Sequence, residues 1–245
     1  MARTPDSLRA PRPVDPGRRF FVPIGVGRAG GAFRELEGVP GDLARMTRLF
    51  AARGYEVVPV PVDPTAAELR AALVAGLDAA APGHADAVVV YFSGHGCVID
   101  GDHYLCCRGF SKARPPTTGL KTEELLELVL RRQPRAGKLW LILDCCEAGA
   151  AIDAGLCRGL VGSGAEVFVV SSTCGWSEAY DGAFSRAFAA AAGGPARGVS
   201  LDRLVAAVNA RRPETRAVQA AFAWSAFDLL DGAPRASSSS RRRAA

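Results

Sequence analysis

Ala87-Val88-Val89-Val90-Tyr91-Phe92-Ser93-Gly94-His95-Gly96 is an apolar run that ends in a polar turn flanked by glycines. Its apolar residues are continuous rather than alternating, which is the pattern of a strand covered on both faces, as in a parallel sheet sandwiched by helices. Leu139 to Leu143, followed by Asp144-Cys145-Cys146-Glu147-Ala148-Gly149, is built the same way. Phe20 to Val26, Val57 to Val62 and Val167 to Val170 complete the set of apolar runs. The expected fold class is α/β, a three-layer α/β/α sandwich with a mostly parallel central sheet.

Helical patterns separate these runs. The first helix is expected to follow Gly41, with Leu43, Met46, Leu49 and Phe50 on one stripe and Gly54 as its stop; Asp42 then reads as an N-cap or as part of a site. Thr65 with Glu68 is a capping box opening a helix through Leu69, Leu73 and Leu77. Thr122 is placed to cap a third helix, with Glu123 and Glu124 in its first turn and Arg131 and Arg132 in its last, as the helix dipole favours. Phe184 to Ala192 and Leu201 to Asn209 read as two more, the second capped by Ser200. One short strand is expected near His103 to Cys106, and a weaker edge strand within Ala221 to Leu230.

The chain has 245 residues, 49% hydrophobic and 22% charged, enough for one sizeable core. One domain over 19–232 is expected, between a flexible N-terminal segment, 1–18, and a flexible Ser/Arg tail, 233–245. The net charge of +5 comes from scattered arginines with no basic stripe among aromatics, so no nucleic-acid partner is expected. Seven cysteines, two pairs of them sequence neighbours, suit a reducing cytoplasm better than a secreted disulfide framework. The sequence shows neither a secretory leader nor an apolar stretch long enough to span a bilayer, so no membrane association is expected. Gly25 to Gly31 superficially resembles a phosphate-binding turn, but Pro40-Gly41 intervenes before the helix.

Folds of this class place their chemistry at the carboxyl ends of the strands, and His95 and Cys146 both lie just past such ends. A thiol reacts as its thiolate, and a neighbouring imidazole makes that anion at neutral pH, so the pair points to a cysteine nucleophile. The turns Ser93-Gly94-His95-Gly96 and Asp144-Cys145-Cys146, the latter ending at Gly149, resemble the caspase-like clan of cysteine peptidases, most of all the metacaspases and their bacterial relatives. The histidine lies about fifty residues before the cysteine, the spacing of caspases. The resemblance extends in element order over Phe20 to Leu230.

The resemblance implies an endopeptidase working through a Cys-His dyad and a thioester. Cys146 would be the nucleophile, since the family's catalytic thiol follows the Asp-Cys or Asp-Ser pair. Strand alternation independently puts Asp144 and Cys146 on one side and Cys145 in the core, provided that the chain stays extended to Cys146. His95 would be the general base and then the acid, and the N–H groups of Gly96 and Cys146 the oxyanion hole. Asp42 and Asp144 match the family's acidic substrate-binding positions, which implies protein or peptide substrates with Arg, or secondarily Lys, before the scissile bond. Glu147 and Ala148 depart from the family's His-Ser after the nucleophile; a carboxylate beside the thiol opposes its ionisation, so dependence of activity on an activating partner or on rearrangement is the expectation.

No cofactor is expected. Calcium, which many metacaspases need, would fall to Asp100, Asp102 and Asp153, but the family's dense acidic run is missing and Asp100-Gly101-Asp102 reads equally as a turn. His95, Cys97, His103, Cys106 and Cys107 match no common zinc spacing. The bacterial relatives imply a role as a defence or cell-death effector; the alternative is a catalytically silent interaction module of the same fold.

Overall fold

Residues 18–31, 33–80, 85–133, 137–149, 166–173, 182–193, 201–211 and 218–222 are described by the computed structural model. The continuous apolar runs become strands β1 (Arg18–Val26), β3 (Ala85–Gly94), β7 (Lys138–Asp144) and β8 (Glu166–Ser171), joined by the two-residue β2 (Glu56–Val57) and by β9 (Val218–Phe222). Their order in the sheet is β2-β1-β3-β7-β8-β9. Every pairing is parallel except that of β8 with β9.

Alternation along the strands divides the core in two. On one face Val88, Val90, Phe92, Leu139, Leu141 and Leu143 pack with α2 (Ala66–Ala79) and α4 (Thr122–Arg132). On the other, Val89, Tyr91, Trp140 and Ile142 pack with α1 (Val39–Ala51), α5 (Ala183–Ala192) and α6 (Leu201–Asn209). A half-polar strand would leave one of these faces wet; β3 is buried from Ala87 to Gly94 on both. Fully burying each large side chain is favourable by about 1.5–3 kcal/mol, so both faces contribute.

A second sheet of order β4-β5-β6 is antiparallel and follows β3 directly: β4 (Gly96–Ile99), β5 (Asp102–Cys106) and β6 (Gly119–Lys121), the last preceded by the short α3 (Pro115–Thr118). Only β5 was expected. Asp100 and Gly101 join β4 to β5 with φ of 52° and 83°, the two left-handed positions of a tight hairpin turn. Asp102 pairs with Lys121 Nζ at 2.9 Å.

Several expectations change in detail. The strand expected over Val57 to Val62 shrinks to Glu56–Val57, because Pro59 and Pro61 carry no N–H for a ladder. Val57 and Val62 are exposed there, while Val58 stays buried. Helix α1 starts at Val39 with Gly38 as its cap and Pro40 in its first turn, so Asp42 is not the N-cap. Thr122 likewise opens α4 without capping it; Lys121 precedes the helix. The Thr65–Glu68 capping box is present with both bonds made. The edge strand begins earlier than expected, at Val218; residues 223–230, Ser200 and both chain ends lie outside the described residues.

Candidate active site

Strands β3 and β7 are neighbours, parallel, and in a register that sets Ser93 beside Asp144. Two residues beyond each partner stand His95 and Cys146, so both follow the ends of neighbouring strands at the same edge of the sheet. Strand β7 stops at Asp144 and the chain turns through Cys145, Cys146 and Glu147, the last with a φ of 55°. Extended geometry therefore does not reach Cys146, and the alternation argument ends at Asp144. Its outcome still holds for Cys145, which is fully buried in the first core, whereas Cys146 is partly exposed. Gly96 lies against this turn: a Cβ there would stand 2.6 Å from the Cys146 carbonyl oxygen, 2.8 Å from His103 Nε2 and 2.9 Å from Cys145 Sγ. Glycine is what lets the two turns approach.

His95 is buried, and its Nε2 is 2.7 Å from the main-chain carbonyl of Arg34. A carbonyl only accepts, so Nε2 carries the proton and Nδ1 is the basic nitrogen. Phe33 covers the ring with centroids 4.9 Å apart. The loop that presents Arg34 is pinned: Gly27 N–H and Arg28 N–H donate to Asp63 Oδ1 at 2.7 and 3.0 Å, and Leu36 N–H donates to the Gly27 carbonyl at 3.0 Å. The sequence carried no sign of this orienting group, because it is main chain.

Behind the turn, on the α1 and α5 face, two carboxylates are buried. Asp144 Oδ2 accepts the Tyr91 hydroxyl at 2.9 Å, and Asp42 Oδ2 accepts the Ser93 hydroxyl at 3.2 Å. Asp42 Oδ1 accepts from Ser185 Oγ and from Arg45 Nη1, the latter at 3.0 Å. Burial and the charges of Asp144 and Asp42 together push the Tyr91 phenol well up, so it remains a neutral donor between them. The two acids chosen from the sequence thus converge, although Asp42 comes from a helix and Asp144 from a strand. Ser185, Ser93 and Arg45 were not foreseen; their side chains gain meaning only once α1, α5 and β3 meet.

Cys145 Sγ lies 3.9 Å from His103 Nε2, a second thiol–imidazole pair. Burial pushes the Cys145 thiol well up and the His103 ring down to about 4, so this pair holds a thiol that resists ionising and a base too weak to ionise it. Glu147, the departure from the family pattern, accepts the Val98 N–H at 2.6 Å and so ties the turn to β4. Cys97 and Cys106 are buried thiols with sulfurs 3.7 Å apart. Among the described residues no group of three or more His, Cys, Asp or Glu side chains could hold a metal ion; Asp153 lies outside them.

The profile of the Peptidase C14 family, the caspase domain, matches residues 22–225. The chain belongs to the caspase-domain family. The crystal structure of caspase-1 from Spodoptera frugiperda is similar to it at a TM-score of 0.60 and 14% identity, over 90% of this chain and 95% of that one. A protein from Geobacter sulfurreducens is similar at a TM-score of 0.61 and 16% identity, over 83% and 93% respectively. Among curated proteins no sequence matches significantly. The family and the sheet order together make this a caspase-like α/β domain, and cysteine peptidase chemistry on protein substrates is the activity of that family. Among the described residues no helix is long and apolar enough to cross a membrane.

Proposed function

We propose that this caspase-domain protein is a cysteine endopeptidase that cuts after Arg, and secondarily Lys, with Cys146 as nucleophile and His95 as its base. The observation that carries the proposal is the pair of buried carboxylates, Asp42 and Asp144, directly behind the edge from which His95 and Cys146 project. His95 Nδ1 takes the thiol proton, and the thiolate attacks the scissile carbonyl. The resulting oxyanion is met by the N–H groups of Gly96 and Cys146. Collapse of the intermediate breaks the C–N bond; the imidazolium returns its proton to the leaving amine, and a thioester remains on Cys146. Water, deprotonated by the same ring, hydrolyses that thioester and restores the thiol.

A substrate guanidinium reaching the carboxylates would gain charge-assisted hydrogen bonds, while an aspartate would be repelled. Asp144, two residues before the nucleophile, is the selector on which the proposal relies most, and Arg45 already meets the charge of Asp42. The domain limits 19–232, a cytoplasmic setting read from the cysteine usage, an activating partner or rearrangement suggested by Glu147, and a place in bacterial defence or cell death implied by the family resemblance belong to the same proposal.

Matched fluorogenic peptides ending in Arg, Lys or Asp test it. Wild type should turn over the Arg peptide best, and Cys146→Ala should abolish turnover while Cys145→Ala retains it. Preference for Asp would sink the carboxylate assignment. Absence of any turnover, with Cys146 unreactive to an Arg-directed electrophile, would favour the silent interaction module instead.

A further inference from the structure

Beneath the nucleophile turn lies a buried imidazole that the proposed reaction does not use. His103, on β5, is 3% exposed. Its Nδ1 is 2.7 Å from Thr122 Oγ1 at the start of α4; on its other side the ring is hydrogen-bonded to the main chain of Cys146, with Cys145 Sγ 3.9 Å from Nε2. The main-chain group facing it is the Cys146 carbonyl: a Cβ on Gly96 would meet both that oxygen and His103 Nε2, at 2.6 and 2.8 Å. Because this carbonyl can only accept, Nε2 carries the proton and Nδ1 must accept from the Thr122 hydroxyl. Burial pushes the ring down to about 4, so it stays neutral and keeps this order of donors near neutral pH.

The turn needs such support. Glu147 sits at a φ of 55°, a conformation that costs a non-glycine residue free energy and persists only when its surroundings impose it. Two bonds from the second sheet flank it. Val98 N–H donates to the Glu147 carboxylate at 2.6 Å on one side, and His103 holds the preceding carbonyl on the other.

We propose that Thr122 and His103 form a positioning relay, from the Thr122 hydroxyl through the imidazole to the Cys146 carbonyl, that fixes the backbone of the nucleophile. In this relay His103 is a positioning residue; it touches neither the substrate nor the sulfur of Cys146. The inference rests on the reading of Cys146 as the nucleophile and adds a residue that this reading does not contain.

The test compares wild type with His103→Leu, His103→Gln and Thr122→Val. Two rates are followed: kcat on the Arg peptide, and alkylation of Cys146 by iodoacetamide, resolved from the other cysteines by peptide mapping. His103→Leu should lower both by about tenfold or more, as expected for loss of a buried hydrogen bond, with KM unchanged. His103→Gln, whose amide can still donate to the carbonyl, should recover most of that loss. Thr122→Val keeps the volume and His103 in place, so it reads the relay even if His103→Leu does not fold; about a threefold to fivefold loss is expected. Nitrogen NMR should show the His103 ring as the Nε2–H tautomer, neutral at pH 6. Wild-type rates in Thr122→Val or His103→Leu, a glutamine variant as impaired as a folded leucine variant, or an Nδ1–H ring would each overturn the relay. If no form cleaves any peptide, the peptidase reading fails, and the alkylation rates and the tautomer still decide the positioning role.

Discussion

Replacing Asp144 by Asn removes one charge and almost no volume. Asn Oδ1 can still accept the Tyr91 hydroxyl that now lies 2.9 Å from the carboxylate, so the buried contact survives. What is lost is the charge presented to a bound guanidinium. At an effective dielectric near 20 and a separation of about 4 Å, the direct attraction is ~4 kcal/mol. The net worth of a hydrogen bond to a charged group, after desolvation, is lower, about 1.5–3 kcal/mol. The lower range is appropriate because the substrate cation must leave water, and at ~1.4 kcal/mol per factor of ten it corresponds to about 10- to 150-fold in kcat/KM for an Arg peptide. A matched peptide with Gln before the scissile bond gains nothing from the charge, so its kcat/KM should hold or rise. The assay is the Arg:Gln ratio of kcat/KM in wild type and variant, with the thermal midpoint as a control for damage. Equal losses on both peptides would show that Asp144 supports the fold rather than the choice of substrate. An unchanged Arg rate would place the selecting charge elsewhere.

Gly96→Ala should cost about a hundredfold in kcat/KM, because the new methyl would stand 2.6 Å from the Cys146 carbonyl oxygen and force the turns of His95 and Cys146 apart. The same overpacking should lower stability by ~1–3 kcal/mol, read by urea unfolding; a fully active alanine variant would refute the close approach. Stability should also fall in mild acid through His103. The folded ring, pushed down to about 4, remains neutral while the unfolded ring takes a proton below about pH 6.5, so the contribution is complete above that pH and is lost as pH falls toward 4. The loss approaches ~3 kcal/mol and should be absent from His103→Gln, whose stability relative to wild type therefore improves between pH 7 and 4.5. A constant difference over that range would contradict a buried neutral ring.

The sequence made the parallel sheet legible because β1, β3, β7 and β8 are buried on both faces and so read as unbroken apolar runs. Val57 to Val62 reads as a longer strand for the same reason, but its valines sit at an edge, two of them exposed, and Pro59 and Pro61 end the ladder. The helices were legible from their stripes, and the Thr65–Glu68 box from its spacing. The capping roles given to Asp42 and Thr122 failed because other partners claim both side chains: Ser93, Ser185 and, within α1 itself, Arg45 for the one, and His103 for the other. Strands β4 and β6, of four and three residues, are too short to show a period. Among site residues, His95, Cys146, Gly96, Asp42 and Asp144 came from two turns and one helix start. Nothing in the chain could mark His103, whose setting needs β5, α4 and both turns at once.

The acceptor that orients His95 is supplied by every amino acid, since each has a carbonyl. No point substitution at position 34 can delete it, so saturation of that codon should spare the ring's orientation. Adding or removing a residue between Gly27 and Leu36 would instead carry the oxygen away from the imidazole. The orientation of His95 thus answers to the length of this segment and hardly to its composition, which leaves descendants able to rewrite the outward chemistry of the rim at constant length without turning the ring.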